Sequence, residues 1–539
     1  MNASLAIDSA VLFTYFFGIV AIGLWAGRRN RNLREFALGG RSIPWWAVLA
    51  SIVAAETSAA TFLGTPAEGF KTRSYIYGQL AIGTILARVV IAFTFIKPYY
   101  RYRVESVYEF LAVRFGSMTK NAASAIFLMT RVLGIGVRLY LGGAILVVIW
   151  RYLFPHQTVT LQTYFLGIVF ITALTTVYTA IGGIKAVVWT DLIQACLMIG
   201  SMLAAIGLLL QKIHGGLPEA LHRLGGAGAV HVFQTGYDTH QPFGAALKSM
   251  LEEPYTLFAA FIGSTFLTMA THGTDQDMVQ RMLTATDFRK SRLSLILSGL
   301  ADIPIAASFL TVGILLWVYY QQSPDPALPA ADNEIFAHYI IHEMPVGFRG
   351  LIVAGVFATM MGSTSAALNA LATSFTRDFY QPYINRQATE AESIRAARVA
   401  TTVFGVLMIG VATVAAQAVL KNATLTIIPI AIGCLGYTYG ALLGVFLLGM
   451  LTVKRGADGT NVIGMALGIV SVLILCKVPI PGQTATFGFF LPDWWPAISW
   501  PWYVFIGCSA TFLFSVLFRT PRERLELAAA HVNAKGEEF

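Results

Sequence analysis

The chain carries apolar runs at roughly 8–26, 45–66, 75–97, 120–150, 161–180, 185–210, 254–275, 291–319, 348–374, 396–419, 424–450, 461–476 and 501–518. Runs of this length and apolarity read as helices that cross a bilayer. Backbone in lipid must satisfy its own hydrogen bonds, so such segments fold as helices packed on one another. The expectation is an all-α polytopic membrane protein with about thirteen transmembrane helices. Composition agrees: 56% of residues are hydrophobic and 12% charged, against about 25% charged in soluble domains. A soluble enzyme is excluded.

The formal charge of +9 invites a polyanion partner, but its distribution points elsewhere. Of 37 Lys and Arg, 25 fall in the alternate loops 27–43, 97–120, 185, 276–292, 375–398, 451–460 and 519–539. Basic residues concentrate on the cytoplasmic side of membrane proteins. The N-terminus is therefore expected outside and the C-terminus in the cytoplasm, in a cell (inner or plasma) membrane. The partners expected are the lipid bilayer and a small-molecule substrate, not nucleic acid. The first run has no basic residue before it and Arg28 and Arg29 after it, so it reads as a retained span. Cys196, Cys434, Cys476 and Cys508 have no metal-ligand spacing. No HExxH or GxSxG pattern points to catalysis.

Two spans stand apart. The second contains "AAETSAATFLGTP", with Glu56 at its centre, and the seventh contains "GSTFLTMATHGTDQD". Both are rich in small and hydroxyl residues, and they lie five spans apart, an odd offset that reverses orientation. Interrupted helices in corresponding positions of two halves mark inverted-repeat transporters, although small residues also serve ordinary helix packing. The division expected is an N-terminal extra helix and loop (1–43), a first repeat (44–210), an extracytoplasmic loop (211–253), a second repeat (254–455) and two C-terminal helices with a short tail (456–539).

The blocks "FALGGRSIPWWAVLASIVAAETSAATFLGTP", "YTAIGGIKAVVWTDLIQ", "DQDMVQRML" and "NALATSFTRDFY" stand in the order of the sodium/solute symporter family. The chain resembles that family from about Leu12 to Arg455. The resemblance implies a LeuT-like 5+5 inverted-repeat core and sodium-coupled uptake by alternating access, with sodium as the coupling ion. It also implies a sodium site. Ala54 and Thr57 stand where the family uses backbone carbonyls. Thr359, Gly362 and Ser363 match a carbonyl-plus-two-hydroxyl set, at a spacing that shares one helical face. Gly362 departs from the sugar carriers, which have a hydroxyl there, so one side-chain ligand is missing; Thr57, Ser58, Thr359 or Thr364 are candidates to supply the oxygen. Asp191 matches an aspartate on the inner sodium exit path, or else pairs with a base such as Lys185. Glu56 is open to direct or indirect sodium linkage, to capping of the helix break, or to proton binding.

For the substrate, the resemblance implies a site near mid-membrane. Asp302 matches the sugar carriers' lysine with reversed charge. Arg88, Arg131 and Arg138 are further intramembrane charges, which ordinarily face a cavity or each other. Asp302 and Arg138 are candidates for cargo binding or for a pair without a ligand. Thr61, Thr271, His272 and Tyr437 complete the expected substrate wall. The reading is a sodium-coupled symporter of a small polar solute, a sugar or sugar acid, and no enzyme. Its alternatives are a sodium- or proton-coupled carrier of a carboxylate or amino acid, or a substrate-binding sensor on the same scaffold. Oligomeric state is left open.

Overall fold

A computed structural model describes residues 3–29, 32–153, 157–226, 230–237, 240–421, 427–480 and 485–536. Its framework is helical throughout. Nine helices among the described residues are long and apolar enough to cross a membrane, or ten counting one bent pair as a span.

The bent pair is the second span. Helix α1 (Ala3–Ala26) precedes it. Helix α2 (Trp45–Glu56) starts after Pro44 and stops at Glu56; α3 (Ala59–Thr72) continues after a bend of 64°. Between them Thr57 is extended (φ −80°, ψ 110°). Ser58 (φ −101°, ψ 169°) caps α3, its hydroxyl accepting from Thr61 N. This is the interruption that "AAETSAATFLGTP" predicts.

The expected break in the seventh span takes another form. Residues Ala259–Ser264 form a widened π-type turn, and α5 (Thr265–Gly273) follows without an extended residue, once α4 (Ala81–Thr94) has been passed. Gly263 serves packing here: a Cβ on it would come within 2.8 Å of Pro501. At Thr274 the chain turns, and Asp275 caps α6 (Gln276–Leu283) by accepting from Asp277 N at 2.9 Å.

The remaining helices build the bundle around these. The 52-residue α7 (Leu161–Lys212) is kinked at Gly183, whose φ of 58° and ψ of −156° suit glycine. Its two arms cover the runs at 161–180 and 185–210. The others used below are α8 (Ser117–Leu153), α9 (Phe288–Gln322), α10 (Phe348–Phe375) and α11 (Ile427–Leu451). Helix α10 is the central post, buried along nearly its whole length and packed on α7. Its Gly, Ala, Ser and Thr content allows that close approach without strandable bulk.

Candidate functional site

The end of α2, the middle of α4, the end of α5 and the middle of α9 converge on one charged cluster. Arg88 of α4 is fully buried. Its guanidinium pairs with Asp302 of α9 at 2.8 Å and with Glu56 at the α2 end. His272 of α5 reaches the same Glu56 oxygen at 2.8 Å, and Thr271 Oγ1 lies 3.0 Å from the other ring nitrogen. The Asp302 and Glu56 side chains keep 23% and 18% of their exposure, whereas Arg88 keeps none. Asp302 therefore lines open space with the guanidinium behind it, while the Glu56 carboxylate is turned onto Arg88 and His272. Counted formally, with both carboxylates ionised and the histidine neutral, the cluster carries a charge of −1.

This arrangement settles who partners whom. Asp302 pairs with Arg88, not Arg138. Glu56 uses Oε1 for Arg88 and His272, while Oε2 is buried with no hydrogen-bond partner. Thr61 sits at the start of α3, its hydroxyl 3.5 Å from Ser58 Oγ. Tyr437 of α11 stacks on Tyr503 at 5.6 Å, among apolar residues of the C-terminal helices. Arg138 of α8 is half-buried, and no ion pair or hydrogen bond joins it to any described residue. Arg131, two turns away, meets Asp275 at 2.6 Å and Asp277 at 3.2 Å.

A second constellation lies where α2 ends against α10 and α7. Thr57 N turns to Val53 O at 3.2 Å and Ser58 leaves the helix, so the carbonyl of Ala54 loses its i+4 donor. Facing it, Thr359 donates to Val356 O at 2.8 Å and Ser363 to Met360 O at 3.1 Å. Thr57 and Thr364 likewise donate to Val53 O and Met360 O. Such back-bonds spend the hydroxyl protons and leave oxygen lone pairs free to accept. Asp191 is fully buried. Its Oδ2 accepts from Ser51 at 2.6 Å and Arg281 at 3.0 Å, so its partner is Arg281 rather than Lys185; Oδ1 has no hydrogen-bond partner. Gln194, one turn on, is buried with its Oε1 likewise unpartnered.

An ionic chain extends from this constellation. It runs from Asp191 to Arg281, from Arg281 to Asp277, from Asp277 to Arg131, and from Arg131 to Asp275, which accepts from Tyr439 of α11 at 2.5 Å. The block "DQDMVQRML" holds Asp275, Asp277 and Arg281, whereas Gln194 and Tyr439 are not singled out by the sequence. The Asp191–Gln194 spacing of three residues, one helical face, was a signal available for Gln194.

The profile of the Sodium:solute symporter family matches residues 36–468. The chain is 28% identical over 477 residues to the sodium/sialic acid symporter SiaT of Proteus mirabilis (strain HI4320), covering 87% of this chain and 89% of that protein. It is 26% identical to the sodium-dependent multivitamin transporter of Oryctolagus cuniculus, covering 86% and 69%. Among solved structures, the substrate-bound outward-open state of a Na+-coupled sialic acid symporter aligns with a TM-score of 0.77 at 24% identity, over 95% of this chain and 97% of that one.

Proposed function

This chain belongs to the Sodium:solute symporter family, sodium-coupled carriers of small solutes with a LeuT-like fold, and from that premise we propose that its cargo is a sugar acid. One observation carries the reading: Arg138, a half-buried guanidinium within a spanning helix, has no protein partner among the described residues. An intramembrane charge needs a partner, and a planar guanidinium fits a carboxylate through two parallel hydrogen bonds. Asp302, whose side chain keeps part of its exposure, then offers an acceptor for a hydroxyl group of the cargo. Relatives named as sialic acid symporters carry a molecule of this class.

In this reading the Ala54 and Thr57 carbonyls, Thr359 and Ser363 hold sodium at the end of α2, with Asp191 close by. Ion binding there fixes the α2–α3 bend that presents Thr61 to the cavity. The Asp191–Arg281–Asp277–Arg131–Asp275 chain keeps the inner side shut and must part before cargo leaves inward. The 44–210 and 254–455 segments act as the two repeats, with the N-terminus outside.

Binding of sialic acid and of its carboxamide to the purified protein, in sodium and in potassium, tests the assignment. Sodium-dependent binding of the acid with loss for the amide is expected. Equal binding of both removes the carboxylate role. A second reading, a zwitterionic amino acid, draws on the net negative charge of the Glu56–Arg88–Asp302 cluster and predicts competition by amino acids instead.

A further inference from the structure

The family pattern leaves one oxygen unaccounted for at the sodium site, because residue 362 is glycine. The space at Gly362 is not vacant of ligands. A Cβ built there would lie 2.8 Å from Gln194 Oε1, 3.5 Å from Asp191 Oδ1 and 3.7 Å from Ala54 O. Three oxygens from two other helices thus point at the position where a side chain is missing. Two of them, Gln194 Oε1 and Asp191 Oδ1, are buried and lack any hydrogen-bond donor, which is costly unless a cation or other donor fills the gap.

The amide is held in the orientation that presents its oxygen. Tyr15 of α1 donates its hydroxyl proton to Met361 Sδ at 3.8 Å. Its oxygen then accepts from Gln194 Nε2 at 3.4 Å. The nitrogen end of Gln194 therefore faces α1 and the oxygen end faces Gly362. Gln194 itself is 1% exposed, so water is not its partner of choice.

We infer that Gln194 Oε1 is a sodium ligand that replaces the hydroxyl absent at Gly362. The two features are one device: glycine at 362 makes room for an amide oxygen that a serine Cβ would displace. The inference rests on the sodium site proposed above and adds a ligand to it. An amide oxygen and a hydroxyl are both neutral oxygen donors suited to a hard cation, so the exchange keeps the charge of the site.

The test is a sodium titration of thermal unfolding on the full-length purified protein, at constant ionic strength with potassium as the balancing ion. Gln194→Ala should raise the sodium concentration for half-maximal stabilisation by about tenfold or more, the usual scale for disturbing a metal site. Gly362→Ser alone should also raise it, since the new side chain meets Gln194. The double variant, with the amide removed and a hydroxyl supplied, should recover sodium sensitivity toward the wild type. Melting in potassium alone reports folding, and Gln194→Met, which keeps the volume, replaces the alanine variant if that one melts early. A Ser363→Ala variant is the reference. If it shifts the titration while Gln194→Ala and Gln194→Met do not, Gln194 is no ligand though the site stands. If none of the three shifts it, the site itself is wrong. A shift in Gln194→Ala without recovery in the double variant overturns the exchange of one oxygen for the other.

Discussion

Arg88 and Asp302 meet at 2.8 Å in the middle of the bundle, and the same guanidinium also holds Glu56. One buried cation thus ties α4, α9 and the broken end of α2 together. It explains how the chain tolerates a carboxylate at the α2 terminus, where the helix dipole is unfavourable to negative charge. Glu56 is held by Arg88 and His272 in a place where sequence reading left sodium, proton and capping roles open.

The first prediction follows from that asymmetry of partners. Arg88→Met strands two carboxylates, whereas Asp302→Asn leaves Arg88 with Glu56. Breaking a buried pair typically costs about 3–5 kcal/mol. Arg88→Met should therefore lower the melting temperature in detergent clearly more than Asp302→Asn. Equal losses would show that Glu56 does not neutralise Arg88.

Arg138 should behave oppositely. It has no described partner to strand, so Arg138→Gln should leave thermal stability close to wild type. Losing one side of a desolvated charge pair costs about 2–5 kcal/mol, so apparent affinity for a carboxylate cargo should fall by at least about thirtyfold. Arg138→Lys should restore part of it, because lysine keeps the charge without the planar fork. Titration of cargo binding for the three proteins decides this; unchanged affinity in Arg138→Gln would remove Arg138 from the site.

A pH effect is expected in the segment between α4 and α8. Glu109, in the short helix Glu109–Arg114, has its carboxyl raised to about 7. Burial is the main cause, opposed by Arg377 and the Glu105 backbone N–H, and aided by Asp378 and Glu105. The folded chain then binds more protons at this site than the unfolded one, so folding stability falls as pH rises from the ordinary glutamate range toward 7. Glu109→Gln should flatten that decline between pH 5 and 8, measured by thermal unfolding. An identical pH slope in the variant would contradict it.

The sequence made the spans legible because lipid permits little else: long apolar runs must satisfy their backbone internally. The break at Thr57 and Ser58 was also readable, since a carboxylate and hydroxyls in an apolar run mark exposed backbone. Pairings were not. Whether Asp302 meets Arg88 or Arg138 depends on the rotation of each helix about its axis, and apolar runs this uniform do not fix it. The seventh span misled for a related reason, as Gly263 gives close packing against Pro501 rather than a break. Gln194 lies inside a quoted block, yet the role proposed for it depends on the side chain missing at Gly362 on another helix.

The most direct test of the whole account is uptake of sialic acid into proteoliposomes under an imposed inward sodium gradient. Accumulation above the external concentration is predicted for the wild type. It should vanish when potassium replaces sodium or when an ionophore collapses the gradient, and Arg138→Gln should reduce it to background while remaining folded. Uptake that only equilibrates, or that proceeds equally without sodium, or that survives in Arg138→Gln, would contradict sodium-coupled symport of a carboxylate held by Arg138.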